Sequence, residues 1–456
     1  MTRRFDAVII GAGQAGPPIA GRLAAAGQKV ALIERKLVGG TCVNVGCTPT
    51  KTMVASAYAA HLAHRAVDYG VSAGPVQVDF AAVMARKDKV VGNSRSHLEA
   101  WLGGMENCTL VRGHACFLSP TRVQVGGETL EAKRFFINVG GRAIIPDFPG
   151  VGHVKTLTNT SLLELDALPR HLVIVGGSYV GLEFAQIFRR LGAEVTVVEK
   201  SPRLIGHEDE EVSDAVQKIL EAEGVAIRCD AECIRFAPHG ANVGVGVNCA
   251  SGAPEVVGSH VLLAVGRRPN TGDLGLDAAG VTVDARGYIE VDDGLRTSAP
   301  NIWALGDCNG LGAFTHTSYN DFEIVAANLL DGANRKLSDR IPVYALYTDP
   351  PLGRAGMSET EAKAKGHAVR IGRRPMTRVS RAIEKGETQG FMKVVVDRDT
   401  DAILGAAILG VGGDEAIHAV IEAMAAGVTA SAYTRVMAIH PTVAELIPTI
   451  LGELSP

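Results

Sequence analysis

An α/β chain holding two Rossmann-like nucleotide-binding folds is predicted by a glycine fingerprint that occurs twice. Each copy lies between a short apolar strand and a helical pattern, and each is followed by a second strand ending in glutamate. From about residue 340 strands and helices still alternate, but no third fingerprint appears, so the last quarter is an α+β region of another kind.

The first copy is Gly11-Ala12-Gly13-Gln14-Ala15-Gly16, between a strand at 6–10 and a helix through 19–23. The spacing GxGxxG serves a tight turn, a close pyrophosphate approach and a helix–strand contact. Pro17 and Pro18 suit a first helical turn, where missing N–H groups cost little. A strand at 29–33 ends in Glu34, placed to accept from a ribose diol. The second copy is Gly176-Gly177-Ser178-Tyr179-Val180-Gly181, after a strand at 172–175 and before a helix at 182–191. A strand at 194–198 ends in Glu199. Ser178 replaces the middle glycine, a departure that leaves room for weaker binding. Glu199 favours a free 2′-hydroxyl over a 2′-phosphate, hence NADH over NADPH, with Lys200 and Arg203 as the opposing signal. Two such folds imply two dinucleotides, one able to reduce the other.

Composition narrows the rest. A chain of 456 residues suggests two to four domains, and 46% hydrophobic with 21% charged residues is ordinary for a soluble globular protein. The net charge of −4 gives no reason to expect nucleic acid or an anionic membrane as partner. No apolar run is long enough to span a bilayer. Arg3 and Arg4 before the apolar residues 7–10 imitate a signal peptide. Cleavage would remove the fingerprint, so the segment reads as a buried strand and the chain as cytoplasmic. Eight cysteines are too sparse for a disulfide scaffold. Cys108, Cys116, Cys229, Cys233, Cys249 and Cys308 are scattered, and Cys229 with Cys233 lacks the second pair a zinc site needs. These are read as structural, and no metal site is expected.

The remaining two cysteines lie in Gly39-Gly40-Thr41-Cys42-Val43-Asn44-Val45-Gly46-Cys47-Thr48-Pro49-Thr50-Lys51. On a regular helix their Cα atoms would be roughly 8–9 Å apart, against a disulfide limit of about 7 Å. Pairing therefore requires distorted backbone, which Gly40 and Gly46 permit; two unpaired cysteines in a glycine-rich loop is the alternative. Thr48 is placed to cap a helix with Pro49 at its first position. Cys47 would then sit at the positive end of that helix, four residues from Lys51, where a thiolate is favoured.

Residues 68–135 carry mixed signals. Strands at 134–138 and 261–264 lead into the glycine turns at Gly140 and Gly266, the second followed by Arg267 and Arg268, which are either site residues or solvated charge. A strand at 302–305 carries Asp307 past Gly306, where its carboxylate could accept from a polyol or stay structural; 308–335 reads as helix. Beyond Pro342, Pro350 and Pro351 come strands at 390–396 and 402–409, and then Ala438-Ile439-His440-Pro441-Thr442-Val443-Ala444-Glu445. Taken alone, His440 and Glu445 could be an acid–base pair or a surface histidine.

The segment GGTCVNVGCTPTK, with the two fingerprints and Asp307, resembles the flavoprotein disulfide reductases, and the likeness extends over essentially the whole chain. Its GCTPTK form is similar to the mercuric-reductase-like branch, with dihydrolipoamide dehydrogenase and glutathione reductase as further relatives. The resemblance implies an FAD-binding domain at 1–150 and 271–338, an NAD-binding domain at 151–270 and a dimerisation domain at 339–456. It implies FAD at Gly11, Gly13, Gly16, Glu34, Thr41, Gly140 and Asp307, with residues 315–317 near the flavin, and NADH at Gly176, Gly181, Tyr179, Glu199 and Gly266. Tyr179 would cover the nicotinamide pocket, and Glu183, on the same helix face, would pair with Lys51. Hydride from NADH would reach FAD and open a redox-active Cys42–Cys47 disulfide through Cys47. Cys42 would then be the attacking thiol. In a homodimer with a shared active site, His440, steadied by Glu445, would act on the partner's cysteines.

The substrate class divides three ways. A small-molecule disulfide is the leading expectation. A metal-ion reductase for Hg(II) or Cu(II) is the second, although mercuric reductases characteristically carry tyrosine where His440 stands and a cysteine pair near the C-terminus. Here residues 450–456 contain no cysteine, and no metal-binding segment stands before Phe5. Ala438 departs from the second histidine of dihydrolipoamide dehydrogenases. A redox-sensing component acting on a partner protein is the third.

Overall fold

The structure, a computed structural model, describes residues 2–248 and 253–455, with Cys233 described in its backbone only; Cys249 lies outside the described residues. The chain divides into two compact units. One comprises Met1–Thr52, Ala82–Ile145 and Gly266–Arg340; the other comprises Met53–Ala81, Pro146–Val265 and Ile341–Pro456.

The first unit is built on a seven-stranded sheet. Cys108–Arg112, Val30–Glu34, Thr2–Ile10 and Glu128–Ile137 run parallel, Ile302–Ala304 joins beside Glu128–Ile137, and Arg122–Val125 and Ala115–Ser119 extend it antiparallel. At the centre of the sheet Val30–Glu34, residues 7–10, residues 135–137 and Ile302–Ala304 are buried on both faces, the apolar runs that a covered parallel sheet requires. Alternation sorts the side chains: Val8, Ile10, Phe135 and Ile137 enter one core, while Ala7, Ile9, Leu32 and Phe136 enter the other. The second core is completed by Ile19, Ala20 and Leu23 of the helix Gly16–Ala25 and by Phe322 and Val325 of the helix Thr315–Leu330. The first strand is four residues longer than its apolar run suggested, because Thr2 to Phe5 pair with Thr129 to Ala132. The stretch of mixed signals contains the helix Phe80–Gly103.

The second unit repeats the pattern with a five-stranded parallel sheet. Its order is Ala226–Arg228, Glu194–Val198, His171–Val175, His260–Leu263 and Thr156–Leu157. The residues from 341 onward form a five-stranded antiparallel sheet, with Leu352–Gly356 and Ile403–Leu409 at its centre and the helix Gly413–Ala425 packed on it. Among the described residues no helix is long and apolar enough to cross a membrane.

Candidate functional site

The cysteine segment is two helices broken at one glycine. Gly40–Val45 is a short helix, Gly46 turns at φ −133° and ψ −117°, and Cys47 begins the helix Cys47–His64. A Cβ on Gly46 would come within 2.8 Å of the Thr41 carbonyl oxygen, so the tight break requires glycine. The helix starts one residue before the expected cap at Thr48: the Gly46 carbonyl accepts from the Thr50 N–H at 3.1 Å, which makes Cys47 the first helical residue and Pro49 the third. Because the helix is broken, the regular-helix separation does not apply, and Cys42 and Cys47 meet as hydrogen-bonded thiols. Cys47 Sγ also lies 3.1 Å from Thr315 Oγ1. The Cys42 thiol is pushed up, first by its hydrogen bond to Cys47, then by burial and by the charge Cys47 carries when ionised. Cys47 occupies the positive end of its helix, where a thiolate is favoured.

In the same unit, Gly11, Gly13 and Gly16 lead into the helix Gly16–Ala25, whose first two positions are taken by prolines as expected. Glu34 accepts from Ala12 N–H at 2.9 Å and Lys36 N–H at 2.7 Å, and so braces the loop. Asp307 stands on the 3-10 turn Gly306–Asn309, where burial pushes its carboxyl up against the opposing charge of Arg267, 3.5 Å away. Arg267 donates to the Gly141 carbonyl at 2.5 Å and reaches Thr41 Oγ1 at 3.5 Å, so it belongs to this site, whereas Arg268 remains solvent-exposed. A hollow lined by Gly141, Arg267, Tyr288, Asp307, Gly310 and Gly312 opens here, beside the turn that holds Gly140.

Two residues of this site had no role in the sequence reading. The buried Asn138 amide accepts from Gly16 N–H and donates to the Leu305 carbonyl. Asp321 accepts from Gly306 N–H at 2.7 Å and Asn309 Nδ2 at 3.0 Å and pairs with Arg340. Asn138 left one faint signal, a polar residue at a strand end where the other fold has Ala264. Asp321 left none within its helix.

In the second unit, Gly176 and Gly181 flank the start of the helix Tyr179–Leu191, three residues earlier than 182, with Ser178 extended at its N-cap. Glu199 repeats the part of Glu34: it accepts from Gly177 N–H at 2.6 Å and Ser201 N–H at 2.7 Å. Tyr179 meets the ring of Tyr344 edge-on at 5.3 Å. Glu183 is buried and accepts from Tyr347 N–H at 3.0 Å. Lys51 lies on the helix Cys47–His64, and Gly266 falls in the first unit, where its carbonyl accepts from Ile144 N–H.

Beside Tyr179's helix a buried pair holds an unusual carboxylate. Glu208 Oε2 lies 3.0 Å from Arg354 Nε, with side chains 1% and 5% exposed, and Glu208 Oε1 has no hydrogen-bond partner among the described residues. Burial pushes Glu208 up to about 7, opposed by Arg354 and aided by the charges of Asp209 and Glu361. The folded chain therefore binds a proton here that the unfolded chain has released, and this group's contribution to stability falls as pH rises from about 4.5 to about 7. Glu208→Gln removes that slope. In urea unfolding from pH 5 to 8, the variant's stability relative to wild type should climb with pH; a constant difference would exclude a titrating Glu208.

His440 and Glu445 come together on their own loop. Nδ1 lies 3.0 Å and 3.1 Å from the two carboxylate oxygens, with the imidazole 72% exposed and the carboxylate 11%. Around it Met437 and Ile439 are 96% and 80% exposed, an apolar rim around a polar pair.

Comparison with known proteins now decides the family. Residues 5–323 match the family model described as pyridine nucleotide-disulphide oxidoreductase, and residues 343–450 match the dimerisation domain of the same family. The chain belongs to the pyridine nucleotide-disulphide oxidoreductases. These are class I flavoprotein disulfide reductases, which use FAD and a pyridine nucleotide. The chain is 36% identical over 450 residues to the probable pyridine nucleotide-disulfide oxidoreductase RclA of Escherichia coli (strain K12), covering 97% of each. It is 35% identical to a mercuric reductase of Lysinibacillus sphaericus, over 97% of this chain and 81% of that one. It is also 35% identical to a dihydrolipoyl dehydrogenase of Thermus scotoductus, over 97% and 96%. A solved structure, the Cu(II) complex of the HOCl-induced flavoprotein disulfide reductase RclA from Escherichia coli, superposes with a TM-score of 0.90 at 34% identity and 99% coverage of both chains.

The residues present fit the family's flavin. Glycines press against backbone at Gly11 and Gly16, a carboxylate braces the loop, and Arg267 and Asp307 line a hollow beside it.

Proposed function

We propose that this oxidoreductase carries electrons from NADH, by way of FAD, to the Cys42–Cys47 pair and on to a disulfide substrate. The observation that carries this reading is the hydrogen-bonded cysteine pair, with Cys47 as the first residue of a helix. Bound FAD would supply the two-electron relay between nicotinamide and sulfur. Once the pair is reduced, Cys42 loses its proton to His440 of a second copy and attacks one sulfur of the substrate, forming a mixed disulfide. His440 returns the proton to the thiolate that leaves. Cys47, as thiolate, then attacks Cys42, expels the second substrate sulfur as a thiolate that takes its proton from solvent, and restores the Cys42–Cys47 disulfide, so that two electrons have passed to the substrate. Glu445, fixed 3.0 Å from Nδ1, orients the imidazole. The exposed rim of Met437 and Ile439, in a region matching the dimerisation domain, supports a homodimer that shares its active sites. Glu199, held by two backbone N–H groups, keeps a negative charge where a 2′-phosphate would sit and so supports NADH.

A metal-ion substrate is the second reading, favoured by the Cu(II) complex of the similar RclA. Among the described residues no group of three or more His, Cys, Asp or Glu could hold a metal ion, so the two thiols would be its ligands. The test compares NADH turnover on small disulfides and on thiol-buffered Cu(II) or Hg(II), in wild type and His440→Ala. Disulfide turnover should fall by roughly 10²–10⁴-fold in the variant. Metal turnover untouched by the change, with no disulfide used, would favour the metal reading.

A further inference from the structure

The two nucleotide folds close in the same way, which aligns them residue by residue. A Cβ on Gly11 would come within 2.2 Å of the Asn138 carbonyl oxygen, and one on Gly176 within 2.4 Å of the Ala264 carbonyl oxygen. Asn138 and Ala264 therefore hold the same place, and so do Gly13 and Ser178, each two residues after the first glycine. The combinations differ: asparagine goes with glycine in the first fold, and alanine with serine in the second. The geometry explains the exchange, because a Cβ on Gly13 would lie 2.9 Å from Asn138 Oδ1. Amide and side chain compete for one space.

What the amide does there is specific. Asn138 is 6% exposed, and its Oδ1 accepts from Gly16 N–H at 3.1 Å, capping a helix whose own N-cap, Ala15, has no capping side chain. Its Nδ2 donates to the Leu305 carbonyl at 2.8 Å and reaches Ser318 Oγ at 3.4 Å. Leu305 leads directly into Gly306 and Asp307. One buried side chain thus ties the fingerprint helix to the strand end that carries the second motif. The second fold has no such tie at Ala264, and its helix begins two residues before the third glycine instead of at it.

We propose that Asn138 is a positioning residue for FAD, locking the pyrophosphate loop to the Asp307 turn. The proposal rests on the flavoprotein reading. A loop and turn fixed before binding lose less freedom when the ligand arrives, so affinity rises without a new contact.

The test strips FAD from the holoenzyme and titrates it back, following flavin fluorescence. Asn138→Ala should weaken FAD binding by about tenfold or more, with far-UV circular dichroism and NADH affinity unchanged. Asn138→Ser, too short to span both partners, should weaken it in the same direction and serves if the alanine variant folds poorly. Gly13→Ala supplies the sharper readout. In wild type the new Cβ displaces the amide and costs FAD affinity; in the Asn138→Ala background that part of the cost disappears, and the two effects fail to multiply. Tight FAD binding unchanged by either Asn138 variant, or effects that simply multiply, would overturn the role of Asn138 alone. Wild-type apoprotein that takes up no FAD would overturn the flavoprotein reading and this proposal with it.

Discussion

Cys47→Ser should take up FAD normally and yet reduce disulfides slower than wild type by on the order of 10⁴-fold. A serine oxygen cannot form with Cys42 the disulfide that two electrons reopen, so the relay ends before the substrate. Cys47 stands at the first position of an 18-residue helix, with Thr315 Oγ1 at 3.1 Å, a setting that stabilises sulfur as thiolate. Loss of the long-wavelength thiolate-to-flavin absorbance after reduction should accompany the lost turnover. Cys42→Ser should lose turnover as severely but keep that absorbance, because the role proposed for Cys42 is attack on the substrate. The assignment of the two sulfurs fails if the absorbance survives in Cys47→Ser or vanishes only in Cys42→Ser.

Lys393→Met should cost about 3–5 kcal/mol of stability, the usual result of leaving buried charges without their counter-ion. The ammonium is 3% exposed and lies 3.0 Å from Asp209, 2.6 Å from Glu211 and 2.8 Å from Glu359. Burial works against the Asp209 carboxylate, but hydrogen bonds from Thr360 and Lys393 win and hold it at about 2. A carboxyl lowered on folding stabilises above its unfolded value, near 3.8, and loses that contribution as pH falls towards 2. Without Lys393 the three carboxylates repel one another and take up protons at higher pH. The deficit, measured by urea unfolding, should therefore be larger at pH 7 than at pH 5. A deficit below about 1 kcal/mol would mean that the cluster is solvated like an ordinary surface network.

Much of this site was readable because it is encoded locally. The fingerprints, the strands before them and Glu34 and Glu199 follow from spacing within about 25 residues, and the two glutamates bind equivalent loop N–H groups. The His440–Glu445 contact likewise spans only five residues. Spacing leaves Arg267 open between site and surface, since only its contacts with Gly141 and Asp307 place it. Helix starts were misjudged for a related reason. Cys47, not Pro49, opens its helix because Gly46 breaks the chain there, and nothing in residue preference says which side of a glycine will fold.

The fold class and the two glycine fingerprints are legible because each depends on neighbours along the chain, whereas spacing leaves the meeting of Cys42 and Cys47 open until the break at Gly46 is seen. Only the tertiary structure decided that Asn138 caps a helix 122 residues away, and that Lys393 meets Asp209 across 184 residues. A buried polar group must find its partner wherever the fold brings one. Such partnerships leave no period or spacing behind, and they appear only when distant strands come together.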